Sequence, residues 1–394
     1  MTAMTARKPK RAMPMSSDEA YQTHILQGVS RTFALTIPQL PPALCKTVGN
    51  AYLLCRIADT IEDEVSLSAE QKCHFADQFQ AVVAGRVNAG EFAAALHPLL
   101  SDSTLVAERD LVEHTAAVIR VTHSLAAPER AALERCVAIM GEGMAWFQAH
   151  QNRDGLPDLP HLDAYCYYVA GVVGEMLTEL FCHHSLEIAA NRQQMLTLAV
   201  SFGQGLQMTN ILKDIWEDRE RGACWLPRSV FQQAGFDLGR LDRGGHNPAF
   251  AAGLTKLIAI AHGHLRNALT YTLLIPPAEK GMRKFCLWAI GMALLTLRKI
   301  HRRPDFSSGR EVKISRRSVM TTVTLTNTFV SSDRWLRRLF ELAAAGLPPA
   351  QFATQADAAL RRGVMESTQA PAANPSPAAN PPHGMAGCDW AVSE

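Results

Sequence analysis

The sequence predicts an all-α protein that folds as a single-domain helical bundle. Apolar residues recur at helical spacing from about residue 17 to residue 362, and Ala, Leu, Met, Gln and Glu are frequent there. No long run alternates with a period of two, as a half-buried strand would. With 394 residues, 47% of them apolar, the chain can bury a large core. At the usual helix length, residues 16–362 would form about ten to fourteen helices.

Both ends of the chain differ from this region. Residues 1–15 carry four basic residues and no acidic one, and no apolar stretch follows them, so they do not predict a secretory signal. Ser16 and Glu19 have the spacing of a capping box, which predicts that the first helix begins there. Residues 363–394 are rich in Pro and Ala and repeat PAANP. We expect a flexible basic arm over 1–15 and a disordered tail over 363–394.

Composition excludes several classes of protein. With 39 basic and 37 acidic residues, the chain lacks the basic excess of proteins that coat nucleic acid. Its nine cysteines form no CxxC pair, which favours a reducing compartment over a disulfide framework or a zinc site. The most lipid-like stretch, Phe285–Leu297, would span roughly 20 Å as a helix, short of the ~30 Å bilayer core. We therefore expect it to be a buried helix.

Two acidic segments combine closely spaced carboxylates with apolar neighbours. The first holds Asp59, Glu62 and Asp63, and the second, more than a hundred residues later, holds Asp214 and Asp218. On a helix, the two aspartates of each segment are i,i+4 neighbours that repel each other, and burying them is costly unless cations lie between them. Mg²⁺ suits this role because it uses few protein carboxylates and completes its shell with substrate phosphates. We predict two helices facing each other across a cavity for Mg²⁺ and diphosphate.

The alternative is that each segment is a solvated acidic helix end, because runs of charged residues are usually exposed. A single copy would favour that alternative. Two matched copies in apolar surroundings, with Arg56 and Lys213 beside them, favour a functional site. Gln207 and Asn210 precede the second aspartate pair at helical spacing, so we expect one continuous helical stripe.

Four ordered segments resemble the motifs of the squalene and phytoene synthase family. They are Ser30–Phe33 (SRTF), Arg56–Asp63, Tyr165–Gly174 (YCYYVAGVVG) and Gln207–Asp218 with Arg221, Gly222 and Trp225–Pro227 after it. Since the four occur in the family's order, the resemblance is far more specific than one acidic motif would be. It implies an isoprenoid synthase bundle with a central active-site cavity, in which two prenyl diphosphates are joined at their C1 carbons.

The resemblance also implies roles for individual residues. Tyr165 would face the carbocation and, with the four aspartates, make up the catalytic set; either Tyr165 or the released diphosphate would accept the proton. The implied metal ligands are Asp59, Glu62, Asp63, Asn210, Asp214 and Asp218. The implied substrate-binding residues are Arg31, Phe33, Arg56, Gln207, Asn210, Lys213, Tyr271 and Phe285.

Within the family, Tyr165–Gly174, Met282–Leu297 and the segment around Lys313 look most similar to squalene synthases, of the bacterial type. This implies that two farnesyl diphosphates condense to presqualene diphosphate, which is reduced to squalene with NADPH. Lys313, Arg316 and Arg317 would hold the NADPH phosphate or form a solvated loop.

Two other functions stay open. One is a phytoene or dehydrosqualene synthase, which performs the same coupling without reduction; the other is a catalytically silent paralogue that serves as an assembly subunit. Ala223 stands where eukaryotic squalene synthases have Arg, whereas Arg221 resembles the phytoene branch.

A stretch around Trp335, flanked by arginines, predicts either an amphipathic helix at a membrane surface or an ordinary helix packed on the bundle. We expect a monomer that binds a small-molecule prenyl diphosphate and no nucleic acid. Its expected place is the cytoplasm, with or without peripheral contact to the inner face of the cell membrane.

Overall fold

The computed structural model describes residues 16–30, 32–242, 247–351 and 358–367. Within these ranges all regular structure is helical apart from a single β-bridge between Leu156 and Pro227, so the predicted all-α class is confirmed. The described residues form twenty α-helices rather than the ten to fourteen expected. The number was too low because several segments are single turns and because long helical runs are divided at kinks.

The first eight helices form the amino-terminal part of the bundle. They are α1 (Ser17–Val29), α2 (Phe33–Thr36), α3 (Pro42–Asp63), α4 (Ala69–Val83), α5 (Ala89–Leu96), α6 (Val106–Glu113), α7 (Thr115–His123) and α8 (Ala127–His150). The predicted capping box is present: Glu19 N–H donates to Ser16 Oγ at 3.2 Å, and Ser16 N–H donates to the Glu19 carboxylate at 3.4 Å. The first helix therefore begins where the sequence predicted.

The remaining helices complete the bundle. They are α9 (Leu159–Cys166), α10 (Val172–His184), α11 (Leu186–Ala189), α12 (Arg192–Lys213), α13 (Ile215–Glu220), α14 (Arg228–Gln233), α15 (Pro248–Leu274), α16 (Lys280–Arg302), α17 (Gly309–Val312), α18 (Arg316–Phe329), α19 (Asp333–Ala344) and α20 (Ala358–Ser367). A π-helical turn, Tyr167–Gly171, joins α9 to α10. Three short 3₁₀ turns lie at Ile37–Gln39, His97–Leu99 and Leu238–Arg240. Helix α12 lies centrally and packs against α10, α15 and α16.

The apolar stretch Phe285–Leu297 lies inside α16 and is largely buried, as predicted. Arg283, two residues before it, is also fully buried; its guanidinium donates to the Ile275 carbonyl at 2.8 Å and forms an ion pair with Asp333 at 2.7 Å. This pairing ties α16 to the start of α19. Among the described helices, none combines the length and the apolar character needed to span a bilayer.

Helix α19 contains the stretch with the exposed tryptophan. Leu336 and Phe340 are buried against the bundle, whereas Trp335 is 45% exposed. The helix therefore packs on the bundle through one face, and the opposite face carries Trp335, with Arg338 over its ring at 5.5 Å. A membrane contact of this face stays a prediction.

The last described helix, α20, continues to Ser367, past residue 362, where the sequence predicted the domain to end. Arg361 is buried, with its Nε 3.4 Å from Asp163 Oδ2 and its guanidinium 4.1 Å from the centre of the Tyr167 ring. Val364 is buried as well. Helix α20 therefore packs against the bundle, and the domain boundary at residue 362 stays a prediction. The predicted arm, residues 1–15, and residues 368–394 of the predicted tail lie outside the described residues.

Two glycines allow α12 to pack tightly against the segment that runs from the π turn into α10. A Cβ added at Gly174 would lie 2.2 Å from the Ala199 carbonyl oxygen, and one added at Gly203 would lie 2.2 Å from the Ala170 carbonyl oxygen. The obstructing atoms are backbone, which a small rotation cannot move aside. Both glycines also line the central cavity, so this close packing sets the position of one cavity wall.

Gly203→Ala is expected to lower the free energy of unfolding by about 3 kcal/mol, because the added methyl must push two buried helices apart. Denaturant unfolding would measure the loss. The matched control is Gly363→Ala, where an added Cβ meets no atom within 4 Å. Because alanine is the better helix former, that control should be neutral or stabilising by up to about 1 kcal/mol. Equal effects of the two substitutions would contradict the packing argument.

Candidate active site

A cavity of about 730 Å³ lies between α3, α8, α10, α12 and α16. Its size is in the range of ligand pockets of proteins. One end is lined by the two acidic segments and by Arg56, Lys72, Lys213 and Arg221, while the rest is lined mainly by aliphatic, thioether and aromatic side chains. The cavity therefore joins a charged end to an apolar interior, as an amphiphilic ligand requires.

The first acidic segment forms the last two turns of α3. Asp59 and Glu62 are half-buried and Asp63 is exposed, and all three line the cavity. Arg56 lies one turn earlier, with Nη1 3.8 Å from Asp59 and 3.6 Å from Glu108, and Nη2 donating to the Tyr52 hydroxyl at 3.2 Å. These contacts hold the Arg56 guanidinium in the cavity wall beside the carboxylates.

The second acidic segment is not the continuous helix that the sequence predicted. Helix α12 ends at Lys213 and α13 begins at Ile215, with a kink at Asp214. The backbone hydrogen bond from Asp218 N–H to the Asp214 carbonyl, at 2.9 Å, still spans the kink. The predicted stripe consequently keeps a common face, and its members all line the cavity: Gln207, Asn210, Asp214 and Asp218.

Arg221 joins the two acidic segments directly. Its Nη1 lies 2.6 Å from Asp63 Oδ1, and its Nη2 lies 2.7 Å from Asp218 Oδ1. One guanidinium thus contacts a carboxylate from each segment at the same time. The predicted meeting of the two acidic segments across one cavity is present in the structure.

Burial raises the pKa of the cavity carboxylates. Desolvation, opposed by Arg56, raises the pKa of Asp59 to about 6, and desolvation together with repulsion from Asp63 and Asp59 raises that of Glu62 to about 8. Asp218 is likewise raised to about 6 by desolvation, although Arg221 lowers it. Desolvation in the cavity therefore favours the protonated forms of these carboxylates as long as no further cation is bound.

This donor set fits Mg²⁺. Carboxylate and amide oxygens are hard ligands, and a bound divalent cation would offset the desolvation that raises the pKa of Asp59 and Asp218. No three Asp, Glu, His or Cys side chains within the described ranges converge as a ready-made metal cage. An ion held by one or two carboxylates and completed by substrate phosphates matches this arrangement.

Aromatic side chains form the cavity wall next to the acidic end. Tyr165 is buried and stacks on Trp225, with ring centroids 4.1 Å apart and planes 10° apart, and it meets Phe147 edge-on at 5.2 Å. Burial and the nearby Glu62 and Asp218 carboxylates raise the pKa of the Tyr165 phenol well above its usual range. The phenol is therefore held in its protonated form.

Further aromatic side chains line the cavity. Phe33 lies 6.4 Å from Phe285, centroid to centroid, and Phe202 lies 5.6 Å from Tyr271. The Tyr271 hydroxyl shares a 3.0 Å hydrogen bond with Thr178, so its polar atom is satisfied within the wall. These rings add apolar surface to the cavity wall.

Most residues predicted for the site line the cavity, and a few do not. Those that line it are Phe33, Arg56, Asp59, Glu62, Asp63, Tyr165, Gln207, Asn210, Lys213, Asp214, Asp218, Tyr271 and Phe285. Arg31 lies outside the described residues. Lys313, Arg316 and Arg317 are exposed on the surface at the start of α18 and do not line the cavity.

Sequence reasoning missed three polar contacts of the acidic end. Lys72 Nζ donates to the Glu62 carbonyl at 2.6 Å, and Gln148 Nε2 donates to the Glu62 carboxylate at 3.1 Å. Arg221 bridges the two acidic segments, as described above. Its place one helical turn after Asp218 was a usable signal, because i,i+3 residues share a helix face. Lys72 and Gln148 come from α4 and α8, and no pattern in the sequence links them to the site.

Comparisons with known proteins agree with this geometry. The family profile described as squalene/phytoene synthase matches residues 26–318. The squalene synthase of Eremothecium gossypii is 28% identical over 275 residues, covering 69% of this chain and 60% of the relative. That of Schizosaccharomyces pombe is 28% identical over 296 residues, covering 74% and 61%. The chain thus spans about 60% of the length of these curated relatives.

Solved structures show the same fold. A ligand complex of TcSQS superposes with a TM-score of 0.65 at 24% identity, covering 90% of this chain and 99% of that one. A dehydrosqualene synthase in complex with ligand gives a TM-score of 0.59 at 21% identity, covering 80% and 97%.

Proposed function

Because this chain belongs to the squalene/phytoene synthase family, we propose that it is a squalene synthase, a farnesyl-diphosphate farnesyltransferase. It would condense two farnesyl diphosphates head to head through presqualene diphosphate and reduce the product to squalene with NADPH. The observation that carries the proposal is the cavity itself, in which two acidic segments bridged by Arg221 open into an apolar, aromatic-lined interior.

The acidic end would bind the diphosphates. Mg²⁺ would be held by side-chain oxygens of two groups of residues: Asp59, Glu62 and Asp63 on α3, and Asn210, Asp214 and Asp218 around the α12–α13 kink. When bound, Mg²⁺ supplies the positive charge that makes diphosphate a better leaving group. Arg56 and Lys213, which already point into the cavity, would donate charge-assisted hydrogen bonds to the diphosphate oxygens.

The apolar interior would hold the prenyl chains and protect the allylic cation from water. The Tyr165 and Trp225 rings lie next to the carboxylates, where the C1 carbons of the substrates would sit. Ring faces carry partial negative charge and so stabilise a cation without reacting with it. Because its pKa is raised, the Tyr165 phenol keeps its proton. Of the Tyr165 phenol and the released diphosphate, the diphosphate is therefore the better proton acceptor.

The proposed NADPH site rests on charge and on its place in the fold. Gly309 N–H at the start of α17 donates to the Glu217 carboxylate at 3.0 Å, which docks this segment on the second acidic segment. Lys313, Arg316 and Arg317 follow within two turns and are exposed. Three exposed cations within one short segment fit a nucleotide phosphate. Bound NADPH would supply the hydride that distinguishes squalene from its unreduced relatives.

The test is to incubate purified protein with farnesyl diphosphate and Mg²⁺, with and without NADPH, and to analyse the extracted lipids. We expect squalene only when NADPH is present, and presqualene diphosphate or an unreduced hydrocarbon when it is omitted. Omitting Mg²⁺ is the control and should abolish all products. A product that does not change with NADPH would overturn the squalene assignment.

One observation favours a second candidate, coupling without reduction. Arg221, the residue that resembles the phytoene branch, is the one that bridges the acidic segments, and Ala223 lines the cavity without a charge. Parallel incubation with geranylgeranyl diphosphate separates the two: phytoene formation without NADPH would establish the second candidate. A membrane contact, a monomeric state and a cytoplasmic location remain predictions.

A further inference from the structure

We infer that Arg221 is an exchangeable counter-ion of this site. Without ligand, it neutralises Asp63 and Asp218, and on loading it releases both carboxylates to metal and transfers its hydrogen bonds to the diphosphate. The inference rests on the proposed function, since it takes Mg²⁺–diphosphate as the ligand of this cavity.

The geometry identifies a bridge with two matched contacts. The guanidinium donates to Asp63 at 2.6 Å through one terminal nitrogen and to Asp218 at 2.7 Å through the other. Each acceptor is the final aspartate of its segment, and the two acceptors come from α3 and α13. The position midway between the segments, where a cation would link them, is therefore taken by a side chain.

This bridge and a bound metal compete for the same carboxylates. A divalent ion on Asp63 or Asp218 would lie within a few ångströms of the guanidinium, and two cations at that separation in a partly buried site repel strongly. The substrate offers a resolution because it brings new anionic oxygens. Guanidinium binds phosphate through paired hydrogen bonds as it binds carboxylate, so Arg221 can exchange one partner for the other.

The surroundings of Arg221 allow this exchange. Its side chain is 40% exposed and follows directly after α13. The next residue, Gly222, has a φ of +89°, and a Cβ added there would meet no atom within 4 Å. Because 40% of the Arg221 side chain is exposed, solvent-accessible space is available for its guanidinium to change partners. Arg219, on α13, instead donates to the Arg153 and Leu238 carbonyls and does not line the cavity.

The experiment measures binding of Mg²⁺ alone, and of inorganic diphosphate at saturating Mg²⁺, by calorimetry. Arg221→Gln should bind Mg²⁺ alone about tenfold more tightly, because a competing cation is gone. It should bind diphosphate about tenfold more weakly, because a phosphate contact is lost; each tenfold change corresponds to about 1.4 kcal/mol. The control is Arg240→Gln, which removes an ion pair to Asp237 outside the cavity and should change neither affinity.

Opposite changes in the two affinities are the signature of exchange. Parallel losses of both affinities, or no change in either, would overturn the inference. Removing an ion pair that has only a structural role would not make Mg²⁺ bind more tightly. Should Arg221→Gln fail to fold, Arg221→Lys keeps the charge but loses the paired geometry. That variant should retain the wild-type Mg²⁺ affinity and lose diphosphate affinity, and unchanged diphosphate affinity would count against exchange.

These probes contain no prenyl chain and no NADPH. A failure to form squalene in the product assay would therefore leave the binding result intact. Conversely, squalene formation together with parallel affinity changes would reject only the exchange.

Discussion

Asp59→Asn is expected to lower kcat/KM for farnesyl diphosphate by about 10³-fold while leaving the fold intact. Asp59 lines the acidic end of the cavity and is proposed to hold Mg²⁺, so the amide removes charge that the departing diphosphate requires. The fold should tolerate the change, because the pKa of Asp59 is already raised to about 6 and a neutral side chain is less costly to bury there.

Steady-state kinetics with farnesyl diphosphate and thermal unfolding without Mg²⁺ would check both parts. The matched control is Asp102→Asn, an exposed aspartate outside the cavity, which should retain full activity. The Asp59→Asn variant also tests the alternative of a catalytically silent paralogue. If this substitution leaves the cellular lipids unchanged, an assembly subunit is favoured over an enzyme. A stable Asp59→Asn protein with wild-type kinetics would remove Asp59 from the metal site.

Features that depend on local spacing could be predicted from the sequence. The capping box of Ser16 and the buried helix around Phe285 follow from residue types a few positions apart. The two acidic segments were recognisable because i,i+4 carboxylates in apolar surroundings make sense only with cations. The kink at Asp214 was not predictable, because nothing in the residue pattern distinguishes a bent stripe from a straight one.

Features that depend on distant parts of the chain were beyond sequence reasoning. Lys72 and Gln148 reach Glu62 from two other helices, and Arg361 reaches Asp163 from the last described helix. Each is an ordinary polar residue in its own segment. These residues reach their partners only because the helices that carry them pack together in the folded protein.

Glu62 and Glu64 show how neighbouring acids of one segment can differ. Glu64 turns away from the cavity and accepts hydrogen bonds from Ser66 N–H at 2.8 Å, Ser101 N–H at 3.0 Å and Thr104 Oγ1 at 2.5 Å, and these bonds hold its pKa at about 2. Glu62 faces the cavity with a pKa of about 8. Glu64 is an anion held by hydrogen bonds, whereas desolvation and the neighbouring carboxylates favour the protonated form of Glu62.

Glu62→Gln should therefore raise the stability of the metal-free protein and lower its activity. Because folding raises the pKa of Glu62 from 4.5 to about 8, the folded state binds the proton more tightly than the unfolded state. The stability from this group is present below about pH 4.5 and is lost as the pH rises through about 8. Gln stays neutral and keeps an acceptor for Gln148, so it avoids that loss.

Thermal unfolding from about pH 5 to about pH 9, without Mg²⁺, would measure the effect. The variant and wild type should unfold at similar temperatures near pH 5, and the variant should be more stable by a growing margin up to about pH 8. The lowered pKa of the buried His264, about 4, acts below about pH 6.5 and in both proteins alike, so the difference isolates Glu62.

Activity should change in the opposite direction, with kcat/KM falling about 10²-fold, because the charge that destabilises the empty cavity is the charge that binds metal. Glu70→Gln, at an exposed position of α4, is the control and should follow the wild type in both assays. Unfolding curves of Glu62→Gln and wild type that stay parallel over the whole pH range would show that Glu62 is not held at a raised pKa. A stabilised variant with full activity would show instead that the charge of Glu62 is dispensable for metal binding.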